Sequence, residues 1–415
     1  MPHGTKRQIG ESGRASRRTF LKSAGVASAV GVSSLSGCMG GGSDAVRLGM
    51  AFPFTGPYSE EAKTQRQGVE LAVQEINNNG GLDGRDVETI ERDTELDGNT
   101  STRRIQDLIN NEDIDLLVAN LSGGISLQTN SIAKQNDVPY MAACQTIPDF
   151  HRSDFLYDCS YTPYALNVQS KRANGQYIMD KLGEPVLGIY ADYAWGQNSW
   201  MHQKNVINEL GGTVAGEAAA PLGNSDFSSQ LNSASESDAD VLYIQNIGSD
   251  QANSVKQARE FGLQNEMEIF VGVTTVTVAR RAGLDQWDGI HAGIYYSANA
   301  DNPGTNDFAS KMDEEFGNPG DSYSAVTYTG VKEFERAINS AGSVEPADIT
   351  SALNENPSYN LTKTEESWRD CDNQAIQDWY IVEGKPESEQ DDDWDLFSVE
   401  GAQGGSDLLW DCSEY

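Results

Sequence analysis

The chain has 415 residues, of which 63 are Asp or Glu and 29 are Lys or Arg, giving a formal net charge of −34 at pH 7. This length accommodates two domains, and the 38% of apolar residues are enough for a substantial hydrophobic core. So large a negative charge repels phosphate and no basic stripe offsets it, so nucleic acid is excluded as an expected partner.

The first 38 residues have the features of an export signal. Arg17 and Arg18 precede a weakly apolar stretch, residues 24–35, and the segment ends in Leu-Ser-Gly followed by Cys38. The apolar stretch is too short to cross a ~30 Å hydrocarbon core as a helix, which needs about 20 residues. We therefore expect a Tat signal, with Cys38 lipidated and anchoring the protein at the extracellular face of the cell membrane. A disordered basic tail with a chance cysteine is the alternative.

Acidic residues dominate the remainder of the chain. Residues 1–38 contain six basic residues and one acidic residue, so their removal makes the net charge more negative still. Dense surface carboxylate with little lysine resembles the proteins of extreme halophiles, in which concentrated salt screens the repulsion between like charges. A generic acidic secreted protein is the alternative.

After a flexible tether in residues 39–44, strand and helix patterns alternate along the first part of the chain. The predicted strands are Val46–Phe52 and residues 87–92, 114–119 and 138–142. The first predicted helix carries Val69, Ala72, Val73 and Ile76 on one face and ends at the Asn- and Gly-rich residues 77–81. The next two helices are predicted over residues 100–110 and 126–135.

The same alternation restarts near residue 165. The predicted elements are helix 166–182, strand 186–190, helix 200–210, strand 241–244, helix 251–261 and strand 268–273, followed by helices 306–316 and 323–341. Strands that alternate with helices of this length indicate βαβ units and parallel sheets, and two such runs indicate two similar lobes. The predicted class is therefore α/β, with two doubly wound parallel-sheet lobes. The acidic residues 387–395 are expected to be a solvated loop rather than a cation site.

Four cysteines besides Cys38 are expected to form disulfides. An even number in an exported chain favours two bridges, and the sequence allows three pairings. Their short spacing favours Cys144–Cys159 and Cys371–Cys412. The four histidines are scattered and no zinc-ligand motif occurs, so we expect no metal site and no cofactor.

The loops that follow the strands hold the candidate ligand-binding residues, because ligands of parallel α/β sheets bind beyond the carboxyl ends of the strands. These loops are rich in hydroxyl, amide, glycine and aromatic residues, and Tyr323 begins a later predicted helix. The candidates are Tyr58, Gly123, Gly124, Cys144, Gln145, Thr146, Tyr193, Trp195, Asn246, Asp250, Thr274 and Tyr323.

Each candidate also has a plain structural interpretation. Gly123 and Gly124 are compatible with a simple strand–helix turn, and Trp195 with buried packing. Only the joint placement of these residues at strand ends favours a binding site. No catalytic elbow, phosphate loop or dinucleotide motif occurs, so an enzyme is not expected.

Several motifs together resemble the leucine/isoleucine/valine-binding proteins of ABC transporters. They are Gly-Pro-Tyr at residues 56–58, Gly-x-x-Leu-Ala-Val-x-x-Ile-Asn-x-x-Gly-Gly from Gly68, Asp-Tyr-Ala-Trp-Gly-Gln from Asp192 and Gln-Ala-Arg-Glu-Phe-Gly-Leu from Gln257. The likeness runs from about residue 46 to residue 382. It implies a type I periplasmic-binding-protein fold, in which two lobes joined by three crossings close on the ligand by a hinge motion.

The resemblance also implies a division of the chain and a set of contacts. Crossings are expected near residues 164, 298 and 358, so that residues 45–163 and 299–358 form lobe 1 and residues 164–298 and 359–415 form lobe 2. The loops Leu121–Ser126 and Cys144–Thr146 correspond to those that hold the ligand carboxylate in the family, and Trp195 corresponds to the aromatic residue that covers the ligand.

Three departures from the family concern the ligand and the disulfides. Gly123 occupies the position of the family serine that contacts the carboxylate. Thr274 is aligned with the acidic residue that pairs with the ligand's amino group and carries no charge. The family's N-lobe disulfide has no counterpart here.

The expected function is capture of a small polar solute of the amino acid, amide or carboxylate class and its delivery to an ABC permease, by a monomer anchored through lipid. Presentation of the ligand to a chemotaxis transducer is the nearest alternative. The uncharged Thr274 favours a ligand that carries a carboxylate, carbonyl or amide group over a simple branched-chain amino acid.

Overall fold

The structure, a computed structural model, describes residues 45–152, 156–165 and 167–414. The predicted signal, the predicted lipidation site Cys38 and the predicted tether lie outside the described residues. Within these ranges, no helix combines the length and the apolar character needed to cross a membrane.

The first run of elements forms a five-stranded sheet in which all strands are parallel, with order β2-β1-β3-β4-β5. Its strands are β1 (Val46–Phe52), β2 (Val87–Asp93), β3 (Leu116–Ala119), β4 (Tyr140–Ala142) and β5 (Ser160–Tyr161). The intervening helices are α1 (Ser59–Asn78), α2 (Gly98–Asn110) and α3 (Gly123–Asn136). The central strands β3 and β4 are buried at every residue, as expected of parallel strands covered by helices on both faces.

The second run builds the parallel part of a seven-stranded sheet. Its strands are β6 (Val186–Ala191), β7 (Val214–Ala220), β8 (Val241–Gln245), β9 (Glu268–Thr274) and β10 (His291–Ile294). The accompanying helices are α4 (Asn167–Tyr177), α5 (Ala194–Glu209), α6 (Ser228–Ser235), α7 (Gly248–Glu260) and α8 (Val276–Ala282).

The last part of the chain returns to both sheets. It contains helices α9 (Pro303–Phe316), α10 (Ser322–Ala341) and α11 (Pro346–Glu355), and strands β11 (Ser358–Tyr359), β12 (Glu366–Trp368), β13 (Ala375–Ile376), β14 (Trp379–Gly384) and β15 (Phe397–Gln403). Helix α10 packs on α1 beside the first sheet, whereas β14 and β15 extend the second sheet to the order β15-β14-β10-β9-β8-β6-β7. Strands β11 to β13 form a separate three-stranded sheet.

The contact between α1 and α10 depends on Gly68. A Cβ atom placed there would lie 2.1 Å from the carbonyl oxygen of Ser324, so the two helices approach closely only because this position has no side chain. Glycine at the head of the motif noted in the sequence therefore has a packing role.

The sequence patterns did not predict β5, β7, α6, β10, α8, α11 or the strands after residue 357. Strand β7 lies at the edge of the second sheet and consists of Val, Ala, Gly and Glu, so its apolar alternation is weak. The strands β14 and β15 run antiparallel and flank the acidic loop, which obscures their pattern.

The cysteines are only partly as predicted. The structure contains the Cys371–Cys412 disulfide, whereas Cys144 and Cys159 are buried free thiols, so the expected second bridge is wrong. Strands β4 and β5 are parallel with Tyr140 opposite Ser160, which places Cys144 about five residues beyond the level of Cys159. At ~3.3 Å per residue the two are roughly 15 Å apart, too far for the ~5.5 Å Cα separation of a disulfide.

Candidate functional site

One cavity lies where the carboxyl ends of the strands of both sheets meet. It is lined by residues that follow β3, β4, β6 and β8, by the end of β9 and by the turns that precede α1 and α4. Proteins with parallel α/β sheets commonly bind ligands at this location. The loops that follow the strands supply the contacts, and the strands hold these loops in place.

The structure brings six of the twelve sequence candidates to this cavity, and each of them follows a strand or begins a helix. They are Tyr58, Cys144, Thr146, Tyr193, Trp195 and Tyr323. Tyr58 and Tyr193 come from different sheets, and their hydroxyl oxygens are 3.0 Å apart. Tyr193 stacks on Trp195 with ring centroids 5.9 Å apart, which fixes the orientation of both rings.

The other six candidates do not line the cavity and have structural roles or lie beside it. They are Gly123, Gly124, Gln145, Asn246, Asp250 and Thr274. Each of the four side chains in this group makes hydrogen bonds within the protein, either in its own loop or to another part of the chain. The carboxylate of Asp250 accepts a hydrogen bond from the backbone N–H of Gly223 at 2.8 Å, and Thr274 donates from its hydroxyl to Gln251 at 2.6 Å.

Gln145 and Asn246 are likewise occupied within the protein. The amide oxygen of Gln145 accepts from the backbone N–H of Ile147, and the side chain of Asn246 exchanges hydrogen bonds with Ser254. A polar side chain at a strand end is therefore available to a ligand only when its polar atoms are not already hydrogen-bonded to other residues of the protein.

Gly123 explains one departure from the related binding proteins. A Cβ atom at Gly123 would lie 2.5 Å from the side chain of Ile147, so a serine would not fit there without a shift of the neighbouring loop. The preceding residue, Ser122, lines the cavity at the N-terminus of α3.

Although the resemblance implicated the loop that contains Leu121 and Ser122, the predicted site residues did not include eleven residues that line the cavity. They are Leu96, Leu121, Ser122, Tyr164, Ala165, Asn167, Ser170, Lys171, Ile247, Val273 and Trp379. Most are apolar or aromatic, types that a sequence pattern assigns to the core. The composition of α4 could have indicated some of them. This helix has few apolar residues, so its buried face must include polar side chains.

Among the described residues that line the cavity, Lys171 is the one cation, and it is almost completely buried, at 1% exposure. Its ammonium donates hydrogen bonds to the amide oxygen of Gln245 at 2.9 Å and to the carbonyl of Gly272 at 3.2 Å. Both acceptors are neutral, so burial without an anionic partner lowers the pKa of Lys171 to about 7.

None of the described residues that line the cavity is Asp or Glu. The nearby Glu61 is fully buried and pairs with Arg281 at 3.1 Å, which joins α1 of the first sheet to α8 of the second. An ammonium group in the cavity would therefore lose its hydration without direct contact with a carboxylate of the described lining.

The other polar groups of the described lining are neutral. The hydroxyl of Thr146 is buried and has no hydrogen-bond partner among the described residues. Burial raises the pKa of the Cys144 thiol to about 12, so this cysteine is not a thiolate nucleophile at neutral pH. In the part of the chain that is described, no cluster of His, Cys, Asp or Glu is arranged to hold a metal ion.

Comparison with known proteins agrees with this architecture. A family model described as periplasmic binding protein matches residues 45–391. Leu/Ile/Val-binding protein homolog 8 of Brucella abortus (strain 2308) is 25% identical over 324 residues, which cover 74% of this chain and 79% of the relative.

Solved structures share the fold at low sequence identity. An amino acid ABC transporter substrate-binding protein from Pseudomonas fluorescens superposes with a TM-score of 0.81 at 22% identity, over 90% of this chain and 98% of that one. A solute-binding protein of an ABC transporter from R. palustris, solved in complex with benzoate, gives a TM-score of 0.78 at 18% identity, over 87% and 97% of the two chains.

Proposed function

This chain belongs to the periplasmic binding protein family, whose members bind substrates and are not enzymes, and from that premise we propose that it captures a small polar organic solute and delivers it to an ABC permease. The observation that carries the proposal is the cavity at the strand ends of both sheets. Such a cavity encloses a ligand between two bodies whose relative motion admits and releases it.

We propose that the two bodies are the lobes expected from the sequence, residues 45–163 with 299–358 and residues 164–298 with 359–415. The topology supports this division, because α10 packs on α1 while β14 and β15 join the second sheet. The pairs Tyr58–Tyr193 and Glu61–Arg281 would then connect the lobes across the cavity.

The proposed ligand bears a carboxylate, carbonyl or amide group. Two observations support this class over a simple branched-chain amino acid. The hydroxyl of Thr274, aligned with the family's acidic residue, is directed to Gln251, and the cavity lining contains no carboxylate among the described residues. The benzoate bound by the R. palustris protein is an organic acid without an ammonium group.

Identification of the natural solute tests the proposal directly. We expect mass spectrometry of natively purified and then denatured protein to detect one organic solute, in an amount that approaches one molecule per chain. Protein purified after unfolding and refolding is the control and should release nothing. A native preparation that releases no solute and binds none from a panel of amino acids, amides and carboxylates would contradict the proposed function.

We further propose that the protein is exported by the Tat route and anchored by lipid at Cys38 on the outer face of the cell membrane. The order of twin arginines, apolar stretch and Leu-Ser-Gly-Cys supports this location. In fractionated cells, Cys38→Ser should move the protein from the membrane to the soluble or secreted fraction, whereas the neighbouring Ser36→Ala should not. A Cys38→Ser variant that stays in the membrane fraction would refute the lipid anchor.

A further inference from the structure

The charge arrangement of the cavity identifies the ligand more closely, on the basis of the proposed function. Lysine is among the residues least often found fully buried, because removal of its charge from water costs several kcal/mol unless an anion replaces the water. Lys171 is buried against Gln245, Gly272 and the ring of Tyr243, and none of these carries a negative charge. A binding site can hold such a lysine if the missing anion arrives with the ligand.

The hydrogen bonds of Lys171 are consistent with this role. A lysine ammonium has three N–H donors, and the structure gives two of them acceptors within the protein. The backbone carbonyl of Gly272 and the Gln245 side chain hold the ammonium at the wall of the cavity. The group is thus positioned before the ligand binds, which lowers the entropic cost of binding.

The other residues that line the cavity determine which kind of molecule, apart from its charged group, fits there. Six aromatic side chains line the cavity, and these are Tyr58, Tyr164, Tyr193, Trp195, Tyr323 and Trp379. Tyr164 packs between Tyr295 and Trp379, with ring centroids 5.0 Å and 6.4 Å away, so this part of the wall is rigid. Aromatic walls favour an apolar body, flat or branched, over a strongly hydrated one.

We infer that the cavity binds a small monocarboxylic acid with an apolar body and no ammonium group, and that Lys171 supplies the positive charge that pairs with its carboxylate. The charge of the ligand is then recognised from the second sheet, by α4. In the related amino-acid-binding proteins, the corresponding carboxylate contacts are expected in the loops after β3 and β4. Here Ser122 and Thr146 in those loops contribute neutral hydrogen bonds.

Ligands that share one carbon skeleton test the inference on the unmodified protein. We propose calorimetric titration with 4-methylpentanoate, its neutral amide 4-methylpentanamide, and leucine, which adds an ammonium group. A parallel series consists of 3-phenylpropanoate, 3-phenylpropanamide and phenylalanine. In at least one series the carboxylate should bind at least ~10-fold more tightly than both the amide and the amino acid, as expected for a hydrogen-bonded charge pair.

Variants then separate a pairing role of Lys171 from a structural one. Lys171→Met should weaken carboxylate binding by about 10- to 100-fold and leave binding of the amide within a few-fold, as for the loss of one hydrogen bond to a charged group. Thr146→Val should weaken the carboxylate and the amide equally. Lys256→Met, at an exposed lysine of α7, is the matched control and should change neither.

Proton uptake gives a second readout that a structural lysine would not produce. At pH 8 much of Lys171 is neutral in the empty protein, and a bound carboxylate favours its charged form, so binding should take up close to one proton. Titration in buffers of different ionisation enthalpy measures this number. The titratable neighbour His202, whose pKa is lowered by burial and by Lys171, is still present in Lys171→Met. Loss of the proton uptake in this variant would therefore assign the proton to Lys171.

The outcomes distinguish this inference from the proposed function. If leucine or phenylalanine binds more tightly than its carboxylate analogue, or if Lys171→Met weakens the amide as much as the carboxylate, the inference is overturned while capture of a solute stands. Failure of all six compounds to bind, while native protein releases a solute that is not an apolar monocarboxylic acid, also overturns it. Only a protein that neither releases nor binds any solute contradicts the proposed function as well.

Discussion

Without ligand, Lys171→Met is expected to be more stable than the wild type at pH 6, and its advantage should disappear as the pH rises toward 10. Burial lowers the pKa of Lys171 to about 7 in the folded protein, whereas an unfolded lysine titrates near 10.5. Between these values the unfolded chain binds more protons, so the stability contributed by this site rises with pH. Below pH 7 the buried charge lowers the free energy of unfolding of the wild type by its full amount, up to about 5 kcal/mol at 1.36 kcal/mol per pKa unit.

The sign of the effect should reverse at high pH. There the lysine is neutral in both states, and the variant has lost the hydrogen bonds to Gln245 and Gly272, at a cost of about 1–3 kcal/mol. Lys363, whose pKa is also lowered to about 7, titrates in both proteins and cancels in the comparison.

Urea unfolding of wild type, Lys171→Met and Lys256→Met between pH 6 and 10 measures the difference. Lys256 is exposed, so the control should follow the wild type at every pH. A constant difference between Lys171→Met and the wild type across this range would show that the lysine is not held as an unpaired buried group.

Arg281→Met is expected to weaken solute binding by about 100-fold. Glu61 is fully buried, and its ion pair with Arg281 joins α1 to α8 across the cavity. Removal of one partner of a buried pair leaves the other uncompensated, which costs about 3–5 kcal/mol. Opening of the lobes would expose Glu61 to water, so the cost falls on the closed, ligand-bound form and appears as lost affinity.

The adjacent Arg280 provides the matched control. It pairs with the exposed Asp393 and stacks on Trp394, both in the loop between β14 and β15, so Arg280→Met should bind the solute like the wild type. The double variant with Glu61→Gln should recover much of the affinity lost in Arg281→Met, because no buried charge remains. Equal affinities for Arg280→Met and Arg281→Met, measured by calorimetry with the natural solute, would refute a role of the ion pair in closure.

Six of the twelve predicted site residues line the cavity and six do not, for reasons that concern individual side chains. Tyr193 and Trp195 reach the cavity because their loop leaves their rings free to stack at its rim. Thr274 lies at an equivalent strand end, but Gln251 takes its hydroxyl. The sequence shows which polar groups a loop contains. Which hydrogen bonds these groups form is determined by their packing against residues that are distant in the chain.

The sequence by itself determined the alternation of strands and helices, the parallel class of the sheets and the loops at which a ligand could bind, because these depend on local hydrophobic periodicity and on turn chemistry. The free thiols of Cys144 and Cys159 were decided only by the register of β4 and β5, which separates two residues that lie close in the chain. The burial of Lys171 was likewise decided only by the tertiary structure. Whether a lysine faces water or a cavity depends on which strands lie beneath its helix, and here β8 and β9 supply the neutral acceptors that hold an unpaired charge inside the protein.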